Sequence, residues 1–190
     1  MTGTGRVAWP RPESLAGLLL LGLLMAGAPE ARAAEIIPSL GVTRSARPNA
    51  GDQAQISGGV AVRGELMPLL KSEIGVAYRS ETRMNGALKM RMWPITASLW
   101  LTPVPALYAG GGVGWYHTTF DFENVPGSPY ETRQEFGVHV GGGLRVPLAS
   151  SAALDLGGRY VFLHDQTSQL VPSTFDPDFW TTTLGLAIKF

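Results

Sequence analysis

The chain has 190 residues, enough for one domain and little more. Its 15 Lys and Arg balance 15 Asp and Glu, which supports neither a nucleic-acid surface nor an acidic solvating tail, and the lack of cysteine excludes disulfides, Cys-based zinc sites and thiol catalysis. Charged residues make up only 16% against roughly 25% in soluble domains, while 24 glycines are about twice the usual share, a composition that suits lipid on one side and a crowded interior on the other.

The first segment reads as an export signal. Arg6 and Arg11 give a positive start, Leu15 to Met25 is uncharged and apolar, and Ala31-Arg32-Ala33 closes a small-residue stretch with an A-x-A cleavage pattern. The uncharged run from Ser14 to Pro29 has 16 residues, short of the ~20 of a spanning helix. Cleavage after Ala33 is expected, making 1–33 a signal peptide and 34–190 the mature domain. With no second hydrophobic helix, the mature chain can cross a membrane only as strands.

From residue 34 onward apolar residues alternate with small or polar ones, and no stretch keeps a helical period. Eight strands are predicted, at 35–43, 54–66, 71–82, 89–101, 106–121, 133–147, 153–164 and 179–190. The links at 67–70, 102–105 and 148–151 are short. Those at 44–53, 83–88, 122–132 and 165–178 are longer and mostly more polar. This alternation is the mark of tight periplasmic turns and longer extracellular loops, with both termini on the periplasmic side.

The faces of the strands separate. In the eighth, Leu184, Leu186, Ile188 and Phe190 oppose Gly185, Ala187 and Lys189. In the sixth, Val138, Val140, Leu144 and Val146 oppose His139, Gly141, Gly143 and Arg145. In the seventh, Leu154, Leu156 and Tyr160 oppose Asp155 and Arg159. In the second and third, Val60, Val62, Ile74 and Val76 oppose Arg63, Glu65, Glu73 and Arg79. Lys89 and Arg91 in the fourth strand share a face with Trp93 and Ile95, at its outer end. A soluble barrel would turn the apolar faces inward. The Gly- and Ala-rich charged face is assigned to the interior, because an eight-stranded barrel has room only for its own side chains. Aromatics near the strand ends on the apolar face (Tyr78, Trp93, Trp115, Phe136, Tyr160, Phe162, Trp180 and Phe190) are expected to form two interfacial girdles.

Two segments carry a family resemblance. The ending Leu184-Gly185-Leu186-Ala187-Ile188-Lys189-Phe190, a terminal aromatic with apolar residues at every second place, is similar to the C-terminal assembly signal of bacterial outer-membrane barrels. The stretches Trp93–Leu101 and Leu107–Tyr116, with Gly110-Gly111-Gly112, resemble the outer-membrane protein β-barrel domain family, the small OmpX/OmpA-like barrels. The resemblance implies an all-β, eight-stranded antiparallel up-and-down transmembrane β-barrel in the bacterial outer membrane. Its implied partners are outer-membrane lipid and lipopolysaccharide, with the barrel assembly machinery reading Phe190. It implies no cofactor and no shared catalytic residues, and it leaves the extracellular partner open.

The charges on the inner face are the candidate site: Arg63, Glu65, Glu73, Arg79, Arg145, Asp155, Arg159 and Lys189. Folding the second and third strands around Met67–Leu70 is expected to place Glu65 near Glu73, with Arg63 one step inward. Folding the sixth and seventh is expected to place Arg145 near Asp155, with Arg159 deeper and Lys189 nearby. Two adjacent glutamates repel unless a cation intervenes, so Arg63, Arg145 or Lys189 is expected to reach across. Such a cluster serves either as a plug of ion pairs or as the gate of a narrow pore.

Other constellations are weaker. His117 lacks a partner Ser and a positioned carboxylate, so catalysis is not expected. His139 reads as a hydrogen-bonded lumen residue, and three scattered His do not make a metal site. Asp165, Asp176 and Asp178 could hold Ca²⁺ but also suit turns. The glycine runs at 110–112 and 141–143 lack the Lys-Ser/Thr and the helix of a phosphate loop. The expected function is therefore structural or surface interaction through the long loops. The alternatives are a narrow channel or conduit for small or hydrophobic molecules, and a soluble periplasmic ligand-binding barrel.

Overall fold

The computed structural model describes residues 34–46, 54–83, 88–122, 131–163 and 178–190. The expected signal segment and the greater part of the four long connections lie outside the described residues. Eight strands follow in chain order: β1 (Ala34–Ser45), β2 (Gln55–Met67), β3 (Leu70–Arg83), β4 (Leu88–Val104), β5 (Leu107–Phe122), β6 (Glu131–Ala149), β7 (Ala152–Phe162) and β8 (Phe179–Lys189). Each pairs antiparallel with its sequence neighbour, and β1 closes the sheet against β8, with Glu35 opposite Lys189 and Ser45 opposite Phe179. Closure leaves no open strand edge, which is what a sheet needs where water cannot satisfy its backbone.

Strand order and up-and-down connectivity are those predicted, but β4 and β6 run past the expected ends. β4 continues through Pro103 to Val104 and β6 through Pro147 to Ala149, with register irregularities at Leu101/Val104 and Pro147/Ala149. A bulge accommodates a proline that cannot donate to the ladder. Two-residue turns, Pro68-Leu69, Pro105-Ala106 and Ser150-Ser151, join the strands at one end. Leu69 has a positive φ of 73°. Pro68 then Leu69 is the order of a type II turn, and a β-carbon makes that second position strained. The start of β1 and the end of β8 sit at this turn end, where Phe190 N donates to Ala34 O at 3.0 Å.

Alternation decides which side chains face out. Leu184 is 52% exposed, Leu186 and Ile188 39% and Phe190 76%, whereas Arg63 and Glu73 are 3% and 2% exposed inside. Arg145 and Arg159 also point inward, as their ion pairs across the lumen require. The outer wall is a continuous apolar band including Leu40, Val60, Val76, Leu99, Val140 and Leu156. This is the inverse of a soluble barrel, and the band far exceeds the few hundred Å² of apolar patch that water-soluble monomers tolerate. Lys89 and Arg91 lie on the outward side of β4, both half-buried, at its loop end.

The expectation of two aromatic girdles needs correction. Among the described residues, Tyr78, Trp93, Trp115, Phe136, Tyr160, Phe162 and Trp180 all stand in the loop-end half, and only Phe190 marks the turn end on the outside. The rings nearest the turn end, Trp100 and Tyr108, face inward and are buried. They stack against lumen cations: Tyr108 lies 4.6 Å from the Arg63 guanidinium and Trp100 lies 5.1 Å from that of Arg159.

Glycine lets β5 approach β4 closely. A β-carbon on Gly112 would stand 2.0 Å from Ala97 O and 2.7 Å from Ser98 Cα, both backbone atoms that cannot swing away. We expect Gly112→Ala to destabilise the barrel by ~1–3 kcal/mol through overpacking. Leu184→Arg, at mid-height on the outer wall, should cost ~2–4 kcal/mol in a bilayer. Equilibrium unfolding from lipid vesicles measures both, and a neutral Leu184→Arg would contradict lipid contact at that position.

Candidate functional site: the charged waist of the lumen

Four strands contribute to a compact charge layer inside the barrel. In the β2–β3 register Arg63 lies directly opposite Glu73. Its Nε and Nη2 reach Glu73 Oε2 at 2.8 and 2.7 Å. Its Nη1 reaches Asp155 Oδ2 on β7 at 2.7 Å, on the other side of the lumen. Arg159, also on β7, donates from Nη2 to the second oxygen of Glu73. Tyr108 on β5 donates its hydroxyl to Asp155 Oδ1 at 2.7 Å. Two cations and two anions therefore cancel, with both oxygens of each carboxylate engaged. Buried charges persist in such a form because each removed hydration shell is replaced by fixed partners. Gly143 makes room for this arrangement, since a β-carbon there would lie 2.4 Å from the Tyr108 hydroxyl oxygen.

A second cluster lies toward the turn end. Arg145 Nη1 bonds Glu35 Oε2 at 2.6 Å, and Lys71 Nζ stands 3.9 Å from Glu35 Oε1. Above the charge layer the lumen changes character. A cavity of about 110 Å³ has Ser39, Thr43, Ser57, Thr96, Thr181 and Thr183 in its wall beside apolar residues such as Ala61, Val161 and Phe179. The Tyr116 hydroxyl and His139 Nδ1, both deeply buried, have no hydrogen-bond partner among the described residues, and both residues line this cavity. It has room for about three waters that could satisfy them. Nearer the loop end Met92, Tyr116, Val161, Leu163 and Phe179 pack into an apolar cluster inside the barrel. The cavity beside the charge layer is only about 40 Å³, so the waist is filled by side chains.

The structure brings Arg63, Glu73, Asp155 and Arg159 together and separates the other sequence candidates from them. Glu65 is opposite Lys71, not beside Glu73, and is exposed at the rim, because Arg63 takes the position facing Glu73. Arg145 is opposite Asp155 in register, as expected, but its guanidinium crosses to Glu35 instead. Arg79 lies outside the layer: its guanidinium stands 4.1 Å from the Phe179 ring centroid, over the apolar cluster. Lys189 is exposed at the turn-end rim and does not enter the waist. Glu35, Tyr108 and Lys71 were missed. The alternation of β1, with Glu35, Ile37, Ser39, Gly41 and Thr43 on one face, carries the signal that would have placed Glu35 inside.

His117 is turned outward, with its Nδ1 3.4 Å from Gln134 Nε2, and no carboxylate or hydroxyl among the described residues orients it as a catalytic base. His139 Nε2 is 2.9 Å from Ser98 Oγ in the lumen. Among the described residues no three His, Asp or Glu gather as metal ligands. Asp165 and Asp176 lie outside the described residues, and Asp178 accepts hydrogen bonds from Leu163 N at 2.8 Å and Tyr160 Oη at 3.3 Å.

No protein-family model and no curated protein sequence matches the chain. Solved structures do match its fold. Neisserial surface protein A (NspA) aligns with a TM-score of 0.62 at 15% identity, covering 83% of this chain and 96% of that one. Ail, the attachment invasion locus protein of Yersinia pestis, aligns with a TM-score of 0.55 at 15% identity, covering 84% and 99%. The outer membrane protein OprG from Pseudomonas aeruginosa aligns with a TM-score of 0.57 at 16% identity, covering 84% and 96%.

Among the described residues Arg63 alone pairs with two buried carboxylates, and its loss leaves Glu73 with only Arg159 and Asp155 with only the Tyr108 hydroxyl. Arg63→Met should lower stability by ~3–5 kcal/mol. Tyr108→Phe, which removes a single bond to Asp155, should cost ~1.5–3 kcal/mol. Denaturant midpoints in the same lipid rank the two, and the opposite order would remove Arg63 from the centre of the layer.

Proposed function

Given that the chain folds as the small eight-stranded outer-membrane barrels do, we propose that it resides in the bacterial outer membrane as a structural and surface-interaction barrel. Its four long connections face the outside of the cell, where loops generally carry recognition. The observation that supports this reading is the filled waist: a lumen interrupted by matched ion pairs leaves the outer surface as the working face. NspA is named a surface protein and Ail an attachment protein, which favours the same class of role. In this reading residues 1–33 are the export signal, cut after Ala33. The apolar band meets outer-membrane lipid and lipopolysaccharide, and the exposed Phe190 serves as the signal for the assembly machinery. The charge layer is structural and no reaction is assigned to it.

One feature favours a second reading, a narrow conduit. Cavities lie on both sides of the waist, Arg159 lining the one toward the loops and Arg63 the one toward the turns, so a path between them would run through these two pairs.

On expression in a Gram-negative host the chain should fractionate with the outer membrane and show heat-modifiable gel mobility, whereas release by salt without detergent would overturn the membrane assignment. The absence of native cysteine makes single-cysteine labelling clean. Cysteines placed within 122–132 and 165–178 should react on intact cells, and one at Ser150 should not. In planar bilayers the wild type should be silent, and stepwise conductance would favour the conduit over the surface role.

A further inference from the structure

We propose that the cavity at the turn end of the barrel is a binding site for a small organic anion, a phosphate or carboxylate borne on an apolar or aromatic body. The cavity measures about 370 Å³, within the range of small-molecule sites. It borders the charge layer, sharing Arg63 and Tyr108 with it, and the proposal goes beyond the surface role and does not depend on it.

Charge gives the sign of the ligand. Lys71, Arg145 and Lys189 line the cavity together with Arg63 of the layer, and among the described residues Glu35 is the only acid in its wall. Glu65 stands opposite Lys71 at the rim, and counting it still leaves three cations against two acids. The layer beneath contributes no net charge, because Arg63 and Arg159 are matched by Glu73 and Asp155. Glu35 is shared between Arg145 and Lys71, at 2.6 and 3.9 Å, so neither cation has a carboxylate to itself. The Lys189 ammonium is exposed and meets no acid within 4.0 Å among the described residues.

Hydrogen bonding points the same way. Arg145 spends Nη1 on Glu35, while its Nη2 is buried with no partner among the described residues. A buried guanidinium nitrogen left unpaired is costly, and an oxyanion oxygen is its best acceptor. The indole Nε1 of Trp100, another lining residue, is also buried and unpartnered among the described residues. Trp100 and Tyr108, held edge to face at 5.3 Å, give the wall an aromatic surface, and Pro105 and Pro147 add apolar area. Cations on one part of a cavity and rings on another suit a ligand with an anionic head and an apolar body, and the one acid in the described wall, Glu35, is already engaged by Arg145 and Lys71.

With the outer-membrane orientation above, this end opens to the periplasm, so the anion is either free or the headgroup of an inner-leaflet phospholipid. The test uses ¹⁵N-labelled protein in phosphatidylcholine nanodiscs titrated with phenyl phosphate. The readout is the Trp100 indole resonance, assigned by its loss in Trp100→Phe. A saturable shift is expected, together with weaker binding at high salt. Lys189→Gln, which disturbs no ion pair, and Lys71→Gln should each weaken binding by roughly three- to tenfold, the scale of one charge-assisted contact. Phenol, which lacks the anion, should give no saturable shift. If phosphatidylglycerol in the nanodisc competes with phenyl phosphate, the headgroup is the source. Undiminished binding identifies a free anion, and both results support the site. No shift at millimolar phenyl phosphate, an equal response to phenol, or unchanged affinity in both lysine variants would overturn it.

Discussion

Arg63 couples parts of the barrel that the backbone ladder does not. It holds Glu73 on the adjacent strand and Asp155 on β7, and through Glu73 it is linked to Arg159. The need for this linkage follows from the fold. A sheet that turns its apolar faces outward must bury its polar ones, and an eight-stranded lumen is too narrow to hydrate them freely. Each charge inside must then find fixed partners, and the partners available come from different strands. The charge layer is therefore the condition under which an inside-out distribution of side chains can fold, with the closed ladder satisfying the backbone and the ion pairs satisfying the side chains.

Around that layer the lumen is stratified. Toward the loops come hydroxyls, then an apolar cluster capped by Arg79 over Phe179. Toward the turns come Glu35, Arg145 and Lys71 around the cavity of about 370 Å³. The stratification also explains the one-sided outer aromatic belt. The two rings closest to the turn end are engaged inside as surfaces for Arg63 and Arg159, leaving aliphatic residues to meet the other interface. Glycines of β6 and β7 admit the Tyr108 ring, which occupies space that side chains at Gly143 and Gly157 would fill.

A filled waist and a lipid-compatible wall leave two places for work on this molecule. One is the set of long connections at the loop end, to which the surface role is assigned. The other is the cation-rich cavity at the turn end. In the proposed orientation they face different compartments on opposite sides of the charge layer, so one can be altered without touching the other. The waist resists casual change, since a substitution there exposes a partner that cannot rehydrate.

The sequence alone determined the number and order of the strands, their antiparallel neighbours and the side each residue faces. That information is local: strand side chains alternate strictly, and short and long links alternate along the chain. It also placed Arg145 opposite Asp155, because a tight turn fixes the register beside it. What only the tertiary structure decided is which charge meets which. Arg63 and Asp155 are separated by 92 residues, Arg145 and Glu35 by 110, and Arg159 and Glu73 by 86. These pairs depend on how closure and curvature bring facing walls together and on which rotamer each long side chain can adopt, and neither is written in any local pattern. Glu65 was placed by chain proximity and lost Glu73 to Arg63, while Glu35, at the start of β1, acquired its partners only when the first strand met the last and the barrel closed.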